Sequence, residues 1–376
     1  MRTAILAWLV TAAGAQTFPF PGPGHYVSTA AGYGHQSTIT LGNTSQIPAS
    51  QSNFTVLVCA NMTLGNGNAC PAASGLRVTG SGGYVTSSSG YDIVFSTTVC
   101  SSPTLMSWEM PSYTGSSGAM EAWVLVPSLT AAGSFYMCAG NPAIATFQGG
   151  ATGAAWNGNY QGIWHLPNGS TLSASDSTSN GNNGTISGVS AAAGQIDGGA
   201  SFGGSGYINV GAGSSLNITG HITIAAWVNT TSGGNNSNIF GAYQGGSPYT
   251  GYGFAIGASN GDGKVQYWSS AAGGWVESTG TVNNGNWHFI AVSFDGTYAN
   301  FYIDGSASGS PAADAPESNA ITRTIGAGAG GGFNNWYGTL DEIEVLNTSL
   351  SASWIATEYN NQNTPSSFLT IGTLAP

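Results

Sequence analysis

Apolar and polar positions alternate along this chain in short runs punctuated by Gly, Asn and Asp. The most informative run is Asn286 to Gly305, NWHFIAVSFDGTYANFYIDG. Trp287 to Phe294 reads as one strand, Asp295-Gly296 as its turn, and Phe301 to Ile303 resumes the apolar run before a second turn at Asp304-Gly305. Ile290, Val292 and Phe294 fall on one side of the pleat, and Trp287, Phe289 and Ala291 on the other. A lone sheet would leave one of these faces in water, so a second layer has to cover it. Trp227, Trp287 and Phe301 are core residues on this reading. Upstream, strands are expected at Ser37-Leu41, Asn53-Cys59, Tyr91-Phe95, Ala122-Val126 and Ser134-Cys138, spaced as in an all-β sandwich. A single short helix is expected after Ser351, stopped before Pro365. The fold class is therefore all-β, with two β-sandwich modules and one short C-terminal helix.

Composition narrows the setting. Only 5% of the residues are charged, 59 are glycine, and Ser, Thr and Asn take the surface places that Lys and Glu usually fill. The basic residues are Arg2, Arg77, Lys264 and Arg323 alone, which leaves no electrostatic footprint for a nucleic acid or an anionic membrane. Arg2, the apolar run Ala4 to Val10 and the small-x-small sequence Ala13-Gly14-Ala15 form an export signal over residues 1–15. No other stretch approaches the roughly 18 continuous apolar residues of a membrane span. Cys59, Cys70, Cys100 and Cys138 are an even number of cysteines in an exported chain, hence two disulfides. Three pairings remain open. The absence of a C-x-x-C pair or spaced histidines argues against zinc.

The organisation then reads as a Pro/Gly-rich leader at 16–24, an N-terminal β-sandwich at 25–148, a Gly/Ala/Asn-rich linker at 149–160 and a second module at 161–376. Tyr91-Asp92-Ile93-Val94-Phe95, Trp123 to Pro127 and Phe135 to Pro142 resemble three landmarks of a bacterial domain of unknown function. That domain is commonly found upstream of laminin-G-like modules. Cys138 stands where the family usually has an aromatic residue, which fits a local disulfide. Further on come Trp164-His165-Leu166, Ala200 to Gly204, Tyr207 to Val210, Ile222 to Val228, Trp287-His288, Tyr302 to Gly305, Thr324 to Gly326 and Gly338 to Val345. In that order they resemble the laminin-G-like, concanavalin-A-like lectin/glucanase jelly rolls of secreted bacterial proteins. The resemblance implies a jelly roll for the second module.

Candidate chemistry is sparse. In Asp176-Ser177-Thr178-Ser179-Asn180-Gly181-Asn182, oxygen-bearing side chains at alternate positions with glycine at the sixth resemble the start of a calcium loop. Two readings stay open: calcium held by Asp176, Thr178, Asn180 and Asn182, or a solvated turn in which Asp176 caps backbone amides. The family resemblance implies that Asp341 would close the calcium site, with a structural role. For a sugar, the candidates are Trp275, Trp336, Asn335, Tyr249 and Tyr252, because flat rings flanked by amides suit its faces and hydroxyls. The E-x-D-x-x-E strand of related glucanases is absent. Its nearest imitation places Glu342 and Glu344 on one strand face about 7 Å apart. Glu109 and Glu121 sit in no recognisable pair, and His165 reads as a structural histidine. The leading reading is an exported, non-catalytic binding or adhesion protein recognising glycan or cell-surface polysaccharide. The alternatives are a self-associating subunit of a filament, envelope layer or phage-like particle, and a glycoside hydrolase.

Overall fold

The computed structural model describes residues 32–167, 171–233, 237–243, 250–257, 261–269, 274–309, 316 and 319–376, with the backbone of 26–27 and 312–313. The expected export signal at 1–15, the leader at 16–24 and Tyr249 lie outside the described residues. Apart from short 3-10 turns and the C-terminal helices, every described element is a strand, so the all-β fold class holds.

Two sheets face each other in the N-terminal module. One has the order Tyr26–Val27, Thr104–Leu105, Val94–Ser96, Ser134–Ala139, His35–Leu41, Leu369–Ile371. The other is three-stranded: Gln51–Ala60, Ala119–Leu129, Ser107–Thr114. Alternation does the sorting. Phe54, Val56, Val58, Met120, Ala122 and Val124 point into the core shared with Ile39, Phe95, Phe135 and Met137, while Leu57, Cys59 and Trp123 point the other way. The expected strand at Tyr91-Phe95 is shorter than its sequence suggested. Asp92 is spent on a turn, its carboxylate accepting from the backbone amides of Thr86, Ser87 and Gly140 at 2.8–3.0 Å. The disulfides pair Cys59 with Cys70 and Cys100 with Cys138, which settles the pairing that the sequence left open.

The C-terminal module is one long sheet. From one end it runs Gly274–Thr281, Lys264–Ser269, Gly251–Ile256, Ser237–Tyr243, Arg323–Ile325, Gly198–Gly211, Tyr337–Leu346, Ile222–Asn229, Trp287–Phe294, Tyr298–Ile303, Ser306–Ala307. It curls on itself, so that Phe254, Val265 and Tyr267 from one end share a core with Ile290, Val292 and Phe301 from the other. The amide of Thr279 donates to the Ser308 carbonyl at 3.3 Å where the two ends meet. The hairpin is as expected, with Ile290 opposite Ile303 and Phe294 opposite Ala299. Asp295 closes the turn by accepting from the amides of Thr297 and Tyr298, and Gly296 supplies the φ of 94°.

Both hairpin faces are covered, but by different regions of the molecule. Ile290, Val292 and Phe294 enter the jelly-roll core. Phe289 and Ala291 meet Leu57, Cys59 and Trp123 of the three-stranded sheet, together with Trp156, Ile163, Trp227 and Ile355. This seam makes the two modules one packed body. Helix Ala352–Asn363 lies along it, with the Ser351 hydroxyl accepting from the Trp354 amide as the N-cap. Asn361 takes the place of a missing strand, donating to the Leu57 carbonyl and accepting from the Leu57 amide at 3.0 and 2.7 Å. Gln362 accepts from the Trp227 indole at 2.6 Å. After Pro365 the chain returns to the first module. Leu369–Ile371 pairs with His35–Leu41, although the sequence placed everything from 161 onward in the second module.

Candidate functional site

The most unusual chemistry lies in the seam. In strand Tyr337–Leu346, Trp227 stands opposite Asp341 and Ala225 opposite Glu344, so Glu342 and Ile343 together oppose the single Ala226. Such a bulge re-aims side chains, and here Glu342 takes the left-handed φ of 47°, which costs a non-glycine residue energy. Leu340 and Ile343 enter the jelly-roll core, while Asp341, Glu342 and Glu344 are turned out of it and buried in the seam. Glu121 arrives from the first module, flanked by Trp123, whose indole donates to it at 3.2 Å.

His165 links the two halves. Its Nδ1 lies 2.6 Å from Glu342 and its Nε2 lies 2.7 Å from Glu109, with the Trp123 ring stacked 5.1 Å away. Burial works against charge on this imidazole. Glu342 and Glu109 outweigh it and hold the pKa well above the usual histidine range. Four buried acids, Glu121, Asp341, Glu344 and Glu358, are shifted upward as well. Burial, with Asp197 and Glu342 nearby, pushes Glu121 up to about 8. Burial and then Glu342 and Asp197 place Asp341 well above the ordinary carboxylate range. Burial and then Glu358 do the same for Glu344, and burial takes Glu358 itself to about 7. Glu109 and His165 border a cleft of about 300 Å³ together with Met110, Pro167, Ser175 and Ser177.

Sequence reasoning missed this assembly. It named Glu109 and Glu121 as unpaired acids and His165 as a lone structural residue, yet the fold gathers all three with Glu342. A signal did exist. Glu121 and Glu344 interrupt apolar strands of a chain that offers them almost no basic partner, and buried acids in such strands need a compensating group. Glu342 and Glu344, the nearest imitation of a glycosidase pair, are both buried.

The 176–184 loop is arranged differently. Asp176 Oδ1 accepts from the amides of Ile163 and Thr178, and Oδ2 accepts from the Asn182 amide and the Thr178 hydroxyl, at 2.8–3.1 Å. Asn180 donates to the carbonyls of Tyr160 and Gln161, and Asn182 to that of Gln161. This is the amide-capping turn. Asp341 does not close it, because its carboxylate accepts instead from the amides of Gln195 and Ile196. The loop and Asp341 therefore do not fit one calcium site.

Among the sugar candidates, Trp336 and Tyr252 are core residues. Tyr252 lies on a strand beginning at Gly251, and its hydroxyl donates to the Leu216 carbonyl. The backbone of Trp336 is pinned between Gly204 and Gly326, and its indole enters the jelly-roll core. Trp275 remains half-buried on the sheet face turned away from the core, edge-on to Tyr243 at 5.7 Å. Tyr243 also meets Trp268 at 4.8 Å and the half-buried Phe333 at 5.7 Å. Asn238 and Asn334 donate to its hydroxyl. Gly253 makes room, since a Cβ there would stand 2.7 Å from the Tyr243 ring. Asn335 braces its own turn toward the carbonyls of Gly206 and Gly331. The tyrosine and tryptophan that anchor this group, Tyr243 and Trp268, were not among the candidates.

Residues 202–356 match the Laminin_G_3 family of the concanavalin A-like lectin/glucanases superfamily, and that stretch is a lectin/glucanase jelly roll. No curated protein sequence matches the chain. Among solved structures, it is similar to domain 4 of AbnA, a GH43 extracellular arabinanase from Geobacillus stearothermophilus in complex with arabinotriose. That likeness has 21% identity, 54% of this chain, 98% of the other and a TM-score of 0.43. The ligand binding domain of botulinum neurotoxin serotype D in complex with N-acetylneuraminic acid gives 14% identity, 56% of this chain, 53% of the other and a TM-score of 0.41. Trypanosoma rangeli sialidase in complex with the inhibitor DANA gives 16%, 53%, 32% and 0.38. The chain spans about half of the neurotoxin domain and a third of the sialidase. Likenesses of this degree carry nothing about ligands.

Proposed function

We propose that this is an exported, non-catalytic protein that binds a neutral glycan on the second module. The observation that carries the reading is the half-buried Trp275 edge-on to Tyr243, which also meets Phe333 and accepts from the side-chain amides of Asn238 and Asn334, on a lectin-like jelly roll. An indole face flanked by amides complements the apolar face and hydroxyls of a pyranose. A net charge of −11 disfavours an anionic polysaccharide. Two disulfides support export. Among the described residues, no helix is long and apolar enough to cross a membrane.

A glycan array with the intact chain and a Trp275→Ala variant tests this. Retention of neutral oligosaccharides should fall by about 10- to 100-fold on losing a stacking indole. Equal retention by both proteins, or none by the wild type, would contradict it.

A further inference from the structure

We propose that the junction of the two modules is a second carbohydrate site, which takes a neutral pyranose unit of an oligosaccharide in a cavity of about 580 Å³. It shares no lining residue with the Trp275 face. Its walls come from strands Gln51–Ala60 and Ala119–Leu129 of the first module, from segment 154–159, and from the run 346–354 that leads into helix Ala352–Asn363. Its volume falls within the roughly 300–1,000 Å³ of small-ligand pockets.

The lining decides the class of ligand. Trp156 and Trp354 both border the cavity, Asn53, Asn159 and Thr348 supply amides and a hydroxyl, and no lining residue is charged. An ionic ligand would be desolvated here without a counter-charge. An uncharged sugar instead sets its C–H face on an indole and its hydroxyls on the amides. Both indoles are held in place in advance. Trp156 is 7% exposed, donates its N–H to Glu109 at 3.2 Å and has its ring 5.1 Å from that of Tyr160. The half-buried Trp354 packs on Phe54 at 4.9 Å. A ligand therefore spends little on ordering them.

Asn53 gives the first module its share in the site. It falls between the register pairs Ser52 with Ser128 and Phe54 with Val126, opposite Pro127, which has no N–H to give. Its carbonyl accepts from the Asn157 side chain at 3.1 Å instead, and its backbone takes a left-handed φ of 54°. Asparagine tolerates that geometry better than most residues, and glycine adopts it freely. Among the described residues, Asn53 and Asn159 make hydrogen bonds through their backbone only. Two side-chain amides at the cavity are thus left for hydroxyls. A sugar seated there touches both modules and the start of the helix, so binding also holds the junction together.

The test uses the full chain carrying Trp275→Ala, so that the junction is read by itself, titrated by calorimetry and tryptophan fluorescence with uncharged hexasaccharides of glucose, mannose, galactose and xylose. At least one should bind, more weakly than it binds the wild type, and change the tryptophan emission. Adding Thr348→Trp, which fills the cavity, should abolish that binding. Adding Asn53→Gly, which removes the amide and suits the same φ, should weaken it about fivefold. If the wild type binds and the Trp275→Ala chain binds none of these sugars at millimolar concentration, the junction site is overturned and the Trp275 reading stands. If the Trp275→Ala chain binds as tightly as the wild type and Thr348→Trp abolishes it, the Trp275 reading fails and the junction site stands. Unchanged affinity on adding Thr348→Trp and on adding Asn53→Gly would also overturn the junction site.

Discussion

The Asp176 loop and the seam both bury carboxylates, but they supply them with donors very differently. Asp176 stands alone and its two oxygens receive four hydrogen bonds. The seam packs several acids together, and Glu121, Glu342, Glu344 and Glu358 each keep a buried oxygen with no partner among the described residues. The number of acids is thus a poor guide to ion binding. A carboxylate saturated by amides is structural, whereas one short of donors calls for a proton or a cation.

The largest effect expected from this contrast is at the loop. Asp176→Ala would strand the amides of Ile163, Thr178 and Asn182 and should cost about 4 kcal/mol in urea denaturation. A cost under about 1 kcal/mol would show that the turn does not depend on its carboxylate.

The second effect is one of pH, measured with divalent ions chelated. Glu121 and Glu358 are raised in the fold, to about 8 and about 7, above their unfolded values. Stability from such groups is fully present below the unfolded carboxylate pKa and is lost as pH rises through the folded one. His165, also raised, has the same sign. Stability should therefore fall by on the order of 3 kcal/mol between pH 5 and pH 8.5. A flat or rising profile would mean that the seam acids are ionised at no cost. Smaller still is Glu344→Gln, which leaves Glu358 an amide neighbour. At pH 8 it should stabilise the chain by about 1 kcal/mol and flatten some of that profile.

Local pattern made much of the fold legible. The hairpin at Trp287, the Ser351 cap, the strand alternation and the existence of two disulfides all depend on neighbours a few residues apart. The seam depends on partners far apart in the chain. Glu121 and Glu342 meet only once the three-stranded sheet docks on the jelly roll, and the bulge that re-aims Glu342 comes from register against Ile222–Asn229. The return of Leu369–Ile371 to the first sheet is non-local for the same reason. Trp336 and Tyr252 misled because Gly- and Asn-rich flanks read as rim loops, while their rings enter the core from those same flanks. Trp275 lies half-buried on the face turned away from that core.

The most direct test compares two isosteric substitutions, Asp176→Asn and Asp197→Asn, by urea denaturation at pH 8 in chelator. Asp176→Asn turns an acceptor into a donor facing amides and should lose about 2 kcal/mol, whereas Asp197→Asn relieves the crowded seam and should gain about 1 kcal/mol. Opposite signs would support the donor-supply account, and losses of equal size at both positions would contradict it.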